Sequence, residues 1–235
     1  LNIIDVAILA AIAVFVILGW YRGFLNSAMH IASFFLSWGI AAAFYRPLAH
    51  GLDAKHNIVS YLLQFGEGAD RIADVELART PITQLSAETV ADAVQKANYP
   101  SFIEKLLQKN ITGEVFADKG IATLAEYFNQ TVMCVILNIL CFVGLFVIAM
   151  IVLSVIIAMA NAVLRLPVLH RFDGLMGAGM GLIMGLLIVQ VLFMLVPAVM
   201  PLLPYEQIEN LFSQGMLSSL FYKGNFFLQI IRGTV

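Results

Sequence analysis

The sequence predicts an all-α membrane protein, with four transmembrane helices and a helical polar insert between the second and third. Three observations predict it: an apolar composition, four long apolar runs, and the gathering of most of the charge into one intervening segment. The chain has 235 residues, of which 61% are hydrophobic and 12% charged, with a mean hydropathy of +0.91. Soluble domains average about 45–50% apolar and about 25% charged residues. This much apolar surface exceeds what one globular core hides, which excludes an ordinary soluble enzyme and a disordered chain. The net charge of −2 supplies no basic field for phosphates, which excludes a nucleic-acid partner. The expected organisation is 1–45 for the first two spans, 46–130 for the insert, 131–204 for the last two spans, and 205–235 for a C-terminal tail.

The first run covers residues 3–20 and is broken by Asp5. The second covers 24–44, the third 132–163, and the fourth 175–196, with Pro197, Pro201 and Pro204 beyond it. Crossing a hydrocarbon core about 30 Å thick takes roughly 20 apolar residues, and all four runs suffice. The third, at about 1.5 Å per residue, reaches roughly 48 Å. It must tilt or project from the bilayer, and it is too short for two spans and a turn. The first run lacks a basic leader, and Gly19-Trp20-Tyr21-Arg22 is no small-residue cleavage site, so it reads as a retained helix. Trp20 and Tyr21 suit an interfacial aromatic belt.

The insert holds eight basic and eleven acidic side chains, a net of −3. It reads as helical. Ser86 is placed to cap a helix running through Ala97, with Val90, Val94 and Ala97 on one face. Ser101 and Glu104 have capping-box spacing ahead of Leu106 and Leu107. Asp118 is placed to cap a helix leading into the third span. The apolar faces of these helices predict an insert lying on the membrane surface. Arg22, Arg165 and Arg171 crowd the short connections, whereas Arg46, Lys55 and Lys119 are dispersed among acids. By density of positive charge, the short connections are inside, and the insert and both termini outside.

Asn26, His30, Ser33 and Ser37 fall within about 60° of one another on the second span. A polar stripe of this kind turns to protein or water, either as a helix contact or as the lining of a polar path. Gly174, Gly177, Gly181 and Gly185 form a small-residue ladder on the fourth span, which admits close helix approach. Asp173 opens that span as a candidate N-cap, or as an ion-pair partner of Arg22 or Arg171. Asp5 opens the first span at the opposite membrane face and reads as a cap. Thr131, Cys134, Asn138 and Cys141 share one face of the third span, and Asn161 marks its end. The two cysteines, one above the other on a helix, are too far apart to bridge and read as small apolar residues. His50 and His56 lack a zinc pattern and read as solvated. No intramembrane carboxylate, nucleophile–base pair or phosphate-binding loop motif is legible, so no catalytic, metal or cofactor residue is assigned. The triplets at Asn110 and Asn129 match the glycosylation acceptor but arise often by chance.

Two blocks of residues resemble the CvpA family, bacterial inner-membrane proteins named for colicin V production. One is Ile4-Asp5, Gly19 and Arg22-Gly23-Phe24, with Tyr45 and Leu48 closing the second span. The other is Leu166-Pro167-Val168-Leu169, Asp173 and the ladder Gly177, Gly181, Gly185. Ser218 to Tyr222 and Asn225-Phe226 also look familial. The chain departs from the family pattern at Leu25-Asn26-Ser27, where an acid is common, and at Gly174 and Met184, where Arg is common. The resemblance implies a multi-pass protein of the bacterial cytoplasmic membrane. It implies a non-enzymatic accessory or scaffold that supports toxin or peptide production, export and envelope homeostasis. Its partners would be the lipid bilayer and other membrane proteins or further copies of itself. The alternative is a homo-oligomeric channel or transporter lined by the polar stripe of the second span.

Overall fold

A computed structural model describes residues 2–64, 68–164, 173–199 and 215–235. Arg165, Leu166-Pro167-Val168-Leu169, Arg171, Pro201, Pro204 and the side chain of Asn161 lie outside the described residues. Among the described residues the secondary structure is helical, with one isolated bridge between Pro81 and Thr123. Four helices among them are long and apolar enough to cross a membrane. The chain divides into two compact units.

The first unit holds α1 (Ile3–Arg22), α2 (Phe24–His56) as far as Tyr45, and α7 (Leu124–Leu164) from Cys141. It also holds α8 (Asp173–Met194) and α10 (Met216–Lys223). Helices α1 and α2 are separated by Gly23 alone, whose φ of +78° is a conformation that side chains with a Cβ rarely adopt. Ile8, Val189, Phe193 and Phe221 form an apolar cluster flanked by Ile4, Ile12, Leu217 and Tyr222. Across α2 and α7, Phe34 meets Phe146 edge-on at 5.0 Å, and Phe227 lies 6.0 Å from both Phe34 and Trp38. The outward side of α7 is apolar and open: Val147, Ile148, Ile151, Val152, Val155, Ile156 and Met159 are all exposed. That is the surface a lipid environment covers.

The second unit holds the rest of α2 and of α7, with α3 (Ile58–Leu62), α4 (Val75–Arg79), α5 (Ala87–Lys96) and α6 (Ser101–Thr112) between them. Val199 closes α9 (Val196–Val199), which enters this unit at Pro197. The segment Leu228–Val235 completes it. Ser86 caps α5 by accepting from the Thr89 amide, and Val90, Val94 and Ala97 are buried, as the sequence predicts.

Three expectations for the insert are corrected. The apolar faces of α5 and α6 do not lie on a membrane: Val94 and Leu107 are fully buried within the protein, together with Ile103, Tyr127 and Phe128. Ser101 is not a cap. Pro100 occupies the capping position and its carbonyl receives the Ile103 and Glu104 amides, because the proline ring fixes the backbone bend that the serine would have to make. Asp118 lies in a short 3-10 turn, and α7 starts six residues later with a different box. There Glu126 accepts from the Ala122 and Thr123 amides, while Thr123 accepts from the Glu126 amide.

The third apolar run also divides. Helix α7 is a single helix of 41 residues. All residues from 131 to 139 are buried, so this stretch is enclosed by protein, and lipid-facing exposure begins at Leu140. Composition alone does not separate a protein-enclosed apolar helix from a lipid-enclosed one.

Candidate functional site

The residues singled out by the sequence fall into two caps joined by a glycine contact and one polar stripe, and a third arrangement lies in the second unit. The first surrounds Gly23. The Asp173 Oδ1 accepts from the Phe24 amide at 2.8 Å, so this carboxylate caps α2 rather than its own helix. It also lies directly against the Gly23 Cα, where any side chain would overlap it. The alternative reading, an ion pair with Arg22, does not form: among the described residues the ion pair is Lys96–Asp92, and Arg22 is exposed. Arg171 lies outside the described residues. A negative group at the start of α2 complements the unpaired amides and the positive end of the helix dipole.

The second lies at the start of α1. Asp5 is fully buried. Its carboxylate closes a box with Asn2 and accepts from the amides of Met216 at 3.1 Å and Ser218 at 2.9 Å. Asp5 thus caps α10, a helix more than two hundred residues away in sequence. Ser218 is fully buried beside it. A little further on, the Asn225 Nδ2 donates to the Gln190 carbonyl, tying the chain after α10 to α8.

Between these two caps α1 and α8 run in contact. Gly177 lies against Gly19 and Gly23, Gly181 against the Phe15 carbonyl, and Gly185 against the Ile12 Cα, which a Cβ would approach to 3.1 Å. At Gly174 a Cβ would meet the Trp20 indole at 3.4 Å, an ordinary side-chain contact. Gly19, Gly177, Gly181 and Gly185 therefore bring backbone onto backbone, a contact available to residues without side chains.

The polar stripe of α2 is differently arranged. Ser33 and Ser37 are buried, and their hydroxyls donate to the carbonyls of His30 and Ser33 within the helix. Asn26 and His30 are half-buried. Ser27, one position from the predicted stripe, is buried, and among the described residues its hydroxyl has no partner, nor do the buried Trp38 Nε1 and Gln190 Oε1.

The third arrangement is in the second unit, and sequence reasoning missed most of it. The buried Asn110 Nδ2 donates to the Thr131 hydroxyl and to the Gly233 carbonyl. The buried Asn138 Nδ2 donates to the carbonyls of Arg232 and Thr234. Asn138 and Thr131 were legible as one polar face of a span; what covers that face was not. Asn110 reads in sequence as part of a glycosylation triplet, yet its amide is engaged inside the protein. Burial raises the Glu104 carboxyl on the same helix above the ordinary carboxylate range. The hydrogen-bonded Asp92 carboxylate raises the exposed Lys96 ammonium. Among the described residues no three His, Cys, Asp or Glu side chains gather where a metal ion would be held.

Four membrane-competent helices among the described residues, with a glycine contact flanked by the capping acids Asp5 and Asp173, define a multi-pass helical membrane protein. Residues 4–70 and 109–223 match the family described as colicin V production protein, and the chain belongs to it. The match omits 71–108, which contain α4, α5 and most of α6, and also 224–235. No curated protein and no solved structure matches the chain.

Proposed function

We propose that the protein is a non-enzymatic membrane accessory that supports toxin or peptide production and export by docking with other membrane proteins. Family membership supports a role in colicin V production. The observation that favours an accessory is the use of the motif acids. Asp5 and Asp173 both accept backbone amides of other helices, so the acids of the motifs hold the first unit together. The hydroxyls of Ser33 and Ser37 likewise return to their own backbone. These groups fix architecture and leave the exposed apolar side of α7 as the surface for lipid and partner helices. The membrane we assign is the bacterial cytoplasmic membrane, with the termini and the insert outside.

The test is native mass spectrometry of the protein released gently from its own membranes. A stoichiometric complex with a different protein supports the accessory role and names the pathway. A homo-oligomer that conducts ions or solutes in liposomes, with conductance lost on replacing Asn26, His30 and Ser37 by Leu, overturns it in favour of a channel. Cysteine labelling from either side of intact cells, at Lys55 and Arg22 positions, tests the orientation. Labelling of the insert from the cytoplasmic side reverses it.

A further inference from the structure

We propose that α6 and the first half of α7 form a groove for an extended peptide of a partner protein, and that residues 231–235 occupy it in the resting state. The inference concerns the second unit and does not depend on the accessory role. Three observations carry it.

First, the segment is held by its main chain. The carbonyls of Arg232, Gly233 and Thr234 all accept from the side-chain amides of Asn110 and Asn138, which stand on two different helices. Consecutive carbonyls read in this manner are the recognition of an extended peptide, tolerant of sequence except where a side chain must fit. Second, the fit is specific at two points. Ile231 is 2% exposed. A Cβ on Gly233 would lie 2.8 Å from the Asn110 Nδ2 and 3.2 Å from the Leu106 Cβ. The groove therefore takes an apolar residue followed two positions later by a glycine, while Arg232 between them is exposed. Third, the present occupant leaves the groove incompletely paired. Among the described residues the buried Asn138 Oδ1 has no hydrogen-bond partner, and its amide nitrogen donates to two carbonyls, which fixes the orientation of the amide. An occupant that presents an N–H to this oxygen satisfies a buried acceptor that residues 231–235 do not. That difference favours a partner's peptide over the same segment of a second copy, which would leave the oxygen equally bare.

The probe is a fluorescent peptide of the sequence of residues 228–235, added to the full chain in lipid nanodiscs and followed by anisotropy. An occupied groove lowers apparent affinity by the fraction of time it is open, so emptying it tightens binding by roughly tenfold or more. Two variants change the occupant and not the groove: Gly233→Trp and Ile231→Asp. Saturable binding that tightens in both, and is lost when Asn138→Leu is added, is the expected result. The same peptide with Trp in place of its glycine should not bind.

Folded variants that bind no peptide, or that bind the Trp-containing peptide equally well, overturn the proposal. Loss of the helical signal in both variants also overturns it, since the segment is then core rather than occupant. A one-to-one complex of the Gly233→Trp chain with the wild-type chain, displaced by the peptide, would identify a second copy as the occupant and overturn the assignment to a partner.

Discussion

Asp5 and Asp173 each open a transmembrane helix, and each hydrogen-bonds amides of a different helix. Removing Asp5 leaves the buried Ser218 amide without its acceptor, and removing Asp173 does the same to the part-buried Phe24 amide. Hydrogen bonds to charged groups contribute about 1.5–3 kcal/mol each, and an orphaned buried donor carries its full desolvation cost. Asp5→Ala is therefore expected to destabilise the first unit by roughly 2–4 kcal/mol, with Asp5→Asn retaining part of the loss. Thermal unfolding in detergent checks the size. Hydrogen exchange at Met216 and Ser218 checks the cause, and unchanged protection there would reject the cap.

Glu104 offers a pH prediction at the same scale. Its carboxyl is raised by burial, with no compensating charge. For an acid raised on folding, the folded state binds the proton more tightly than the unfolded chain. Its contribution is favourable below the unfolded glutamate value of about 4.3 and is lost as pH rises through the folded value. Glu104→Gln should flatten this dependence and slightly raise the melting temperature at neutral pH. A melting profile with the same slope as the wild type would count against it.

At the scale of elements, the contact of α1 with α8 depends on the absence of side chains. Gly181→Leu places a branched group into the Phe15 carbonyl and the Val16 Cα, and is expected to lower folded yield and melting temperature sharply. Gly144 provides the control, since no atom lies within 4 Å of its would-be Cβ. Gly144→Leu should leave stability close to wild type, and equal effects of the two substitutions would refute the close contact. The helix starts make a second pair. Thr123→Ala removes a working cap and should cost about 1 kcal/mol, whereas Ser101→Ala should be nearly silent because Pro100 already turns the chain. Urea or thermal titration of the two variants separates them. The sequence pattern S-x-x-E was visible and misleading at residue 101; the equivalent T-x-x-E at residue 123 was visible and overlooked. Both patterns satisfy the spacing rule, and the choice between them rests on where the preceding residue bends.

For the whole molecule, the division of α7 sets the expectation. Residues 131–139 are enclosed by protein while the exposed apolar side chains lie from Leu140 onward. Backbone amides in the enclosed stretch should stay protected from hydrogen exchange when lipid is replaced by mild detergent, and cysteines introduced at Ile148 and Ile151 should react with lipid-soluble probes. Strong reaction at Val135 and Leu137 instead would return that stretch to the bilayer.

The four spans, the helical insert and the family resemblance were legible in the sequence by itself. Apolar length, charge segregation and glycine spacing are local properties, and a bilayer imposes a length that such properties reveal. The partners of Asp5, Asp173, Asn110 and Asn138 were decided by the tertiary structure alone. A carboxylate or amide satisfies whichever donor or acceptor folding brings to it, and here those groups come from residues as much as 213 positions away. The division of α7 was likewise undecidable from composition, because lipid and a protein core select the same apolar side chains.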